Sequence, residues 1–135
     1  MYRILYISTA RAIYSAAALQ DILRVSRRNN AAVDVTGLLV VGGRRFLQAL
    51  EGPKDAVSAT FDRIAGDARH FAIVKLGDTA ITARSFAQWS MGFEAGDEPS
   101  DTATLAHQVE TLVRPLADAN LRAYFTGFAK SHSSA

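Results

Sequence analysis

The sequence predicts an α+β domain: a sheet with two helices on one face and two further helices on the other. Three observations predict it. Strand-like and helix-like periodicities alternate through the first two-thirds of the chain, in the order β-α-β-β-α-β-β. The remaining segment carries only helical stripes. A sheet whose two crossover helices share one face leaves its other face bare, so that face needs a cover.

Residues 2–8 (YRILYIS) form the first predicted strand, with Ile4, Tyr6 and Ser8 on one side and Arg3, Leu5 and Ile7 on the other. Ser15 suits the N-cap of a helix carrying Leu19, Ile22, Leu23 and Ser26, which Asn29-Asn30 ends. Val35–Val41 is apolar on both faces and reads as a doubly covered strand. Gly42-Gly43 signals a hairpin turn, and Arg45–Leu50 pairs back. Pro53 suits the first turn of a second helix, which buries Val57, Phe61 and Ile64 and ends at Gly66-Asp67. Phe71–Leu76 and Ser85–Phe93 are the fourth and fifth strands. This is a ferredoxin-like arrangement with an added strand. A polar linker covers Ala95–Asp101. Two helical stripes follow, Leu105, Val109, Leu112, Leu116 and then Leu121, Tyr124, Phe125, Phe128, broken at Pro115. They are expected to cover Leu5, Ile7, Leu47 and Ala49. The division expected is 1–96, the mixed domain; 97–131, a helical extension; and 132–135, a disordered tail.

Composition narrows the function. A chain of 135 residues with 49% hydrophobic and 21% charged residues is an ordinary single globular domain. The absence of cysteine excludes a disulfide scaffold, a thiol nucleophile and a cysteine metal site. No apolar run reaches about 18 residues, so no transmembrane helix is expected. The N-terminus starts directly with strand-like sequence, which makes the cytoplasm the expected location. A net charge of +2 is too small to imply nucleic acid, and the arginines at Arg24, Arg27, Arg28 and at Arg44, Arg45 read first as a solvated face. Three scattered histidines make no metal site. No Walker loop, GxGxxG or Ser–His–Asp spacing is present, so no enzymatic activity is expected.

Some residues do not suit a plain core. If the first and third strands are neighbours, Tyr6 and Gln48 share the helix-covered face, each between apolar residues. Asn30, one turn after Ser26, leans toward the same place. An unpaired buried amide costs about 1–3 kcal/mol. Either Tyr6, Gln48 and Asn30 satisfy one another, or they read a flat polar ligand lying between the helices. Arg63, Asp67, Arg69 and His70 gather at the end of the second helix. Asp67 and Arg69 read first as a surface pair, and Arg63 as a possible phosphate partner. Glu51, before a helix start, reads as structural. Trp89 and Met91, two apart, share a strand face and suit core packing.

The segments RILYIS, ILRVSRRNNAAVDVTGLLV, FLQALEGP, DRIAGDARH and FAQWSMGF, in this order and spacing over about residues 2–93, resemble a BLUF domain, the family of blue-light sensors using FAD. The resemblance implies a non-covalently bound FAD. It implies that Tyr6 donates an electron, coupled to a proton, to the excited flavin, and that the hydrogen bonds of Gln48 rearrange in light. Asn30, with Asn29 beside it, would bind the isoalloxazine edge. Arg63 would lie near the ribityl or phosphate part, and Asp67 and His70 near the ring's outer edge. Trp89 and Met91 would move relative to Gln48 on signalling. One departure is Asp34, where the family often has a glycine able to take positive φ.

The expected function is therefore a blue-light photoreceptor without enzymatic output, signalling through the fifth strand and C-terminal helices to an unidentified partner protein, as a homo-oligomer, away from membrane and nucleic acid. The alternatives are a light-independent flavin-binding module and a ferredoxin-like RNA-binding module. The aliphatic outer face (Leu5, Ile7, Leu47) argues against RNA, which stacks on aromatics.

Overall fold

The computed structural model describes residues 1–12, 14–87, 91–96 and 102–132, with 92–96, 102–104 and 132 described by backbone alone. Along them run β1 (Tyr2–Ala10), α1 (Ala16–Ala32), β2 (Thr36–Gly42), β3 (Arg45–Gly52), α2 (Lys54–Ala65), β4 (His70–Ala80), β5 (Gly92–Gly96), α3 (Thr102–Val113) and α4 (Ala119–His132). The sheet order is β4-β1-β3-β2-β5. The first four strands pair antiparallel, and β5 runs parallel to β2 from Leu38↔Gly92 to Gly42↔Gly96. The four antiparallel strands have the ferredoxin-like order, and β5 is the addition.

Local chemistry explains most element ends. The Ser15 side chain accepts the Ala18 N–H at 3.1 Å and caps α1 as expected. Asn29-Asn30 does not end that helix. It continues to Ala32, with the Asn30 carbonyl taking the N–H groups of Val33 and Val35 at 3.1 and 2.9 Å. The reversal falls instead on Asp34, at φ 61°. Arg84 holds Asp34 there, donating to its carbonyl at 2.8 Å and pairing with its carboxylate at 2.9 Å. Asp therefore does supply the left-handed turn for which glycine is the easier residue. The β2–β3 turn is Gly43-Arg44, with Gly43 at φ 60°, while Gly42 is still paired to Arg45. Pro53 is the N-cap of α2, not a residue of its first turn.

The larger departures are in the strands. β1 and β4 both outrun their apolar stretches because they pair from Tyr2↔Ala80 to Ala10↔His70, and ladder bonds carry Gly77 and Asp78 despite poor strand propensity. The fifth strand begins at Gly92, not Ser85. The buried carboxylate of Glu51 takes the N–H groups of Ser85 and Phe86 at 2.8 and 2.9 Å, so these amides join no ladder. Ala95 and Gly96, expected in a linker, belong to β5. Ser131, next to the tail expected to be disordered, is helical, and α4 reaches His132.

The sheet divides two cores. Ile4, Tyr6, Leu39, Val41 and Leu50 pack under Leu19 and Leu23 of α1 and Val57 and Phe61 of α2. On the other face Leu5, Leu38, Val40, Leu47 and Ala49 lie under Leu105, Val109, Val113, Leu121, Phe125 and Phe128, with Ile7 at the margin. The C-terminal helices thus cover the sheet face expected to need them, which removes the open platform an RNA-binding module would use. Tyr124 departs from the expected stripe and is 44% exposed, with Ala129 buried in its stead. Phe86 joins this core edge-on to Phe125 at 5.8 Å.

Asp118 caps α4, accepting the Leu121 N–H at 3.0 Å, and pairs with Arg3 at 2.7 Å. The Leu121 N–H, and after it Arg3, hold its carboxyl below the ordinary value of 3.8. A carboxyl depressed on folding stabilises above its unfolded value, and that help is lost as pH falls through the lower, folded one. Asp118→Ala is expected to cost about 1 kcal/mol at neutral pH. The difference from the parent should narrow below the ordinary carboxylate range, as thermal unfolding at a series of pH values would show.

Candidate functional site

A cavity of about 100 Å³ opens between α1 and α2 over the sheet. Ile22, Leu39, Phe46 and Ile64 give it apolar walls, and Tyr6, Ser26, Gln48 and His70 give it polar points, with Asp67 and Arg69 also in its lining. A flat, largely apolar molecule with a polar edge suits such a lining. A larger recess, about 690 Å³, lies on the opposite sheet face among Arg3, Leu76, Asp118 and Tyr124. Its charged groups are paired with each other, so the chemistry belongs to the smaller cavity.

Tyr6 and Gln48 are direct cross-strand partners, which puts both side chains on the same face. The Tyr6 hydroxyl donates to Gln48 Oε1, and Gln48 Nε2 donates to the Met91 sulfur at 3.3 Å. Tyr6, Gln48 and Met91 are each at least 95% buried, with exposures of 2%, 5% and 2%. Burial pushes the Tyr6 phenol well above its ordinary pKa, so it is a neutral donor. Its ring packs edge-on against Phe61 at 5.3 Å. The amide sense of Gln48 is thereby set, oxygen toward Tyr6 and nitrogen toward Met91.

His70 is a buried wall residue. Its Nε2 lies 2.5 Å from the Ile64 carbonyl, which can only accept, so Nε2 carries the proton and Nδ1 accepts from the Ser8 hydroxyl at 3.0 Å. Asp67 accepts the Arg69 N–H at 2.9 Å and grips the Arg69 guanidinium at 2.5–3.0 Å. Arg69 holds its carboxyl below the ordinary value. This exposed pair shapes the lining more than it stabilises the fold. Asn30 is buried one turn beyond Ser26, and Asn29 is half-buried. Arg63 is exposed in the last turn of α2. None of these three is in the cavity lining. Trp89 lies outside the described residues. Met91 is not within a strand but immediately before β5.

Two contributors, Tyr14 and the Arg27 contact, have no signal in the sequence. Tyr14 stacks on Phe46 at 6.4 Å and donates to the Arg69 carbonyl at 3.2 Å. It sits in a connection, where no period marks it. Phe46, on the strand face of Gln48 by alternation, lines the cavity with it. Arg27 reaches from α1 to the Met91 carbonyl at 2.9 Å, a side-chain-to-backbone contact with no sequence signature.

Comparison with known proteins agrees with this geometry. The model of the BLUF family, "Sensors of blue-light using FAD", matches residues 1–92. The photoactivated adenylate cyclase subunit beta of Euglena longa is 37% identical over 87 residues, which are 64% of this chain and 10% of that protein. The blue light- and temperature-regulated antirepressor BluF of Escherichia coli (strain K12) is 36% identical over 73 residues, which are 54% of this chain and 18% of that protein. The chain thus spans only a small part of the length of these relatives. The dark-state structure of BlrB, a BLUF protein, matches with a TM-score of 0.73 at 30% identity, covering 96% of each chain. The photo-activated state of BlsA matches with a TM-score of 0.66 at 26% identity, covering 96% of this chain and 94% of that one.

Proposed function

The chain belongs to the BLUF family, blue-light sensors whose cofactor is FAD, and from that premise we propose that it converts light into a change of hydrogen-bond sense at Gln48, passed on through Met91 to β5. The observation that carries this reading is the buried run Tyr6–Gln48–Met91 in and beside the cavity wall.

The chemistry of the lining suits a flavin ring, and the space of about 100 Å³ must widen between α1 and α2 to admit it. The cavity's apolar sides match the ring's faces, and Gln48 and Ser26 offer polar groups to its edge. Asn30 and Asn29 complete the binding segment on α1. Arg63 serves the ribityl or phosphate part from the end of α2. Asp67 borders the ring, and His70, with both nitrogens engaged, is a packing wall. Excited by blue light, the bound flavin supplies a strong one-electron acceptor.

With FAD bound, Tyr6 would pass an electron and its phenolic proton toward the excited ring, and both would return to the phenol in the back reaction, so that nothing is consumed. Gln48 Oε1 then loses its donor. An amide can exchange its donor and acceptor ends with almost no change in volume, so Gln48 turns within an intact core. Its Nε2 leaves the Met91 sulfur, and Met91 stands at the head of β5. The altered contact biases β5 and the α3–α4 pair between two arrangements, as a light-driven population shift requires. Trp89 is the second residue assigned to this step. The output passes to a partner protein or a further copy of the chain. The relatives named as a cyclase and an antirepressor support an effector downstream of the sensor. Among the described residues no helix is long and apolar enough to cross a membrane.

The test is an absorption spectrum in darkness and after blue light. A flavin spectrum that moves slightly to the red and recovers in darkness is expected. Irreversible bleaching, or a colourless protein that takes up no FAD, would overturn the reading. Gln48→Leu should remain yellow and lose the shift altogether. A normal shift in that variant would remove Gln48 from the mechanism.

A further inference from the structure

We propose that Arg27 is a positioning residue of the light response: held on α1, its guanidinium clamps the Met91 carbonyl and so presents the Met91 sulfur to the Gln48 amide. The inference rests on the role of Gln48 given above.

Met91 is held at two points. Its sulfur accepts from Gln48 Nε2 at 3.3 Å, and its carbonyl accepts from Arg27 Nε at 2.9 Å. The first β2–β5 partners are Leu38 and Gly92, so Met91 lies just outside that ladder. Arg27 gives the carbonyl of this buried residue a charged donor from across 64 residues of sequence. Arg27 directly follows Ser26, which lines the cavity, on a helix capped by Ser15. The helix that borders the cavity thus also sets where β5 begins.

The two holds differ in kind. The sulfur contact is weak, and the side chain can leave it by rotating about its own bonds. The carbonyl contact is charge-assisted and stronger. When the Gln48 amide turns, the sulfur is released first, and Arg27 keeps the main chain close enough for recapture. Without Arg27 the head of β5 is untied from α1, and return to the dark arrangement loses part of its driving force.

Met1 and Met91 are the chain's two methionines, so methyl-¹³C-methionine labelling of the FAD-loaded protein gives one signal for each. Met1 is 54% exposed and serves as the solvent-like reference. In the dark, Arg27→Ala is expected to move the Met91 methyl signal toward that of Met1. After illumination, recovery in Arg27→Ala should slow by about 3- to 10-fold, the loss of one partly exposed charge-assisted hydrogen bond. Arg27→Lys keeps a cationic donor and should restore at least half of the parent rate. An unmoved Met91 signal, recovery within twofold of the parent, or a lysine variant as slow as alanine would each overturn the proposal. The dark methyl signal needs no photochemistry. A parent protein that shows no light response therefore counts against the photoreceptor mechanism, while the signal still decides whether Arg27 places Met91.

Discussion

Tyr6→Phe is expected to bind FAD as the parent does and to show no reversible red shift under blue light. Phenylalanine keeps the ring, its edge-on packing against Phe61 and the shape of the wall. It removes the only atom that differs, the hydroxyl that donates to Gln48 Oε1. Two losses follow. The benzene ring of phenylalanine is a far poorer electron donor than a phenol and has no proton to give. The Gln48 oxygen, buried with its residue 5% exposed, loses its donor, at a cost of about 1–3 kcal/mol. That cost leaves a folded domain within the usual stability of about 5–15 kcal/mol. The protein should be yellow, somewhat less stable, and blind. Dark and lit spectra of purified Tyr6→Phe decide it, and a photocycle like the parent's would remove Tyr6 as donor.

Phe125→Ala should be among the most destabilising single changes on the C-terminal helices, by about 3–5 kcal/mol. Phe125 is fully buried between α4 and the sheet, and Phe86 meets it edge-on. Truncation leaves a cavity under a helix pair whose attachment is mainly apolar. Tyr124 is the control on the same helix. At 44% exposure, its change to alanine should stay within about 0.5 kcal/mol. Denaturant titration of the two variants separates them. Equal losses would mean that α4 is not seated on the sheet through its Phe125 face. Because Phe86 belongs to the segment leading to Met91, Phe125→Ala should also loosen the link between the light site and α4.

Much of the site could be read without a structure because strand geometry is periodic. Alternation puts Tyr6 with Ile4 and Ser8, and Gln48 with Phe46 and Leu50, and antiparallel pairing of the two strands then brings the two polar side chains to one face. Helical spacing after Ser26 also leaned Asn30 toward that side, and it is buried, but it is not in the cavity lining. The covering role of α3 and α4 followed from the same alternation, since Leu5, Leu47 and Ala49 had to be buried by something. Tyr124 falls on the same helical stripe and is nevertheless exposed. A helical stripe marks which residues lean toward the core, and the width of the contact decides which are buried.

By itself, then, the sequence determined the α+β order of elements, the capping of α1, the two faces of the sheet and the meeting of Tyr6 with Gln48. Each depends on a repeat of two or 3.6 residues, or on a neighbour a few positions away. Tertiary structure alone decided that the fifth strand starts at Gly92, that Glu51 takes the amides of Ser85 and Phe86, that the Gln48 nitrogen faces the Met91 sulfur, and that Arg27 holds the Met91 carbonyl. These last three are bonds from a side chain to a partner at least 34 residues away. No periodicity encodes such a bond, because its donor and acceptor meet only after the sheet and helices have set the distance between them.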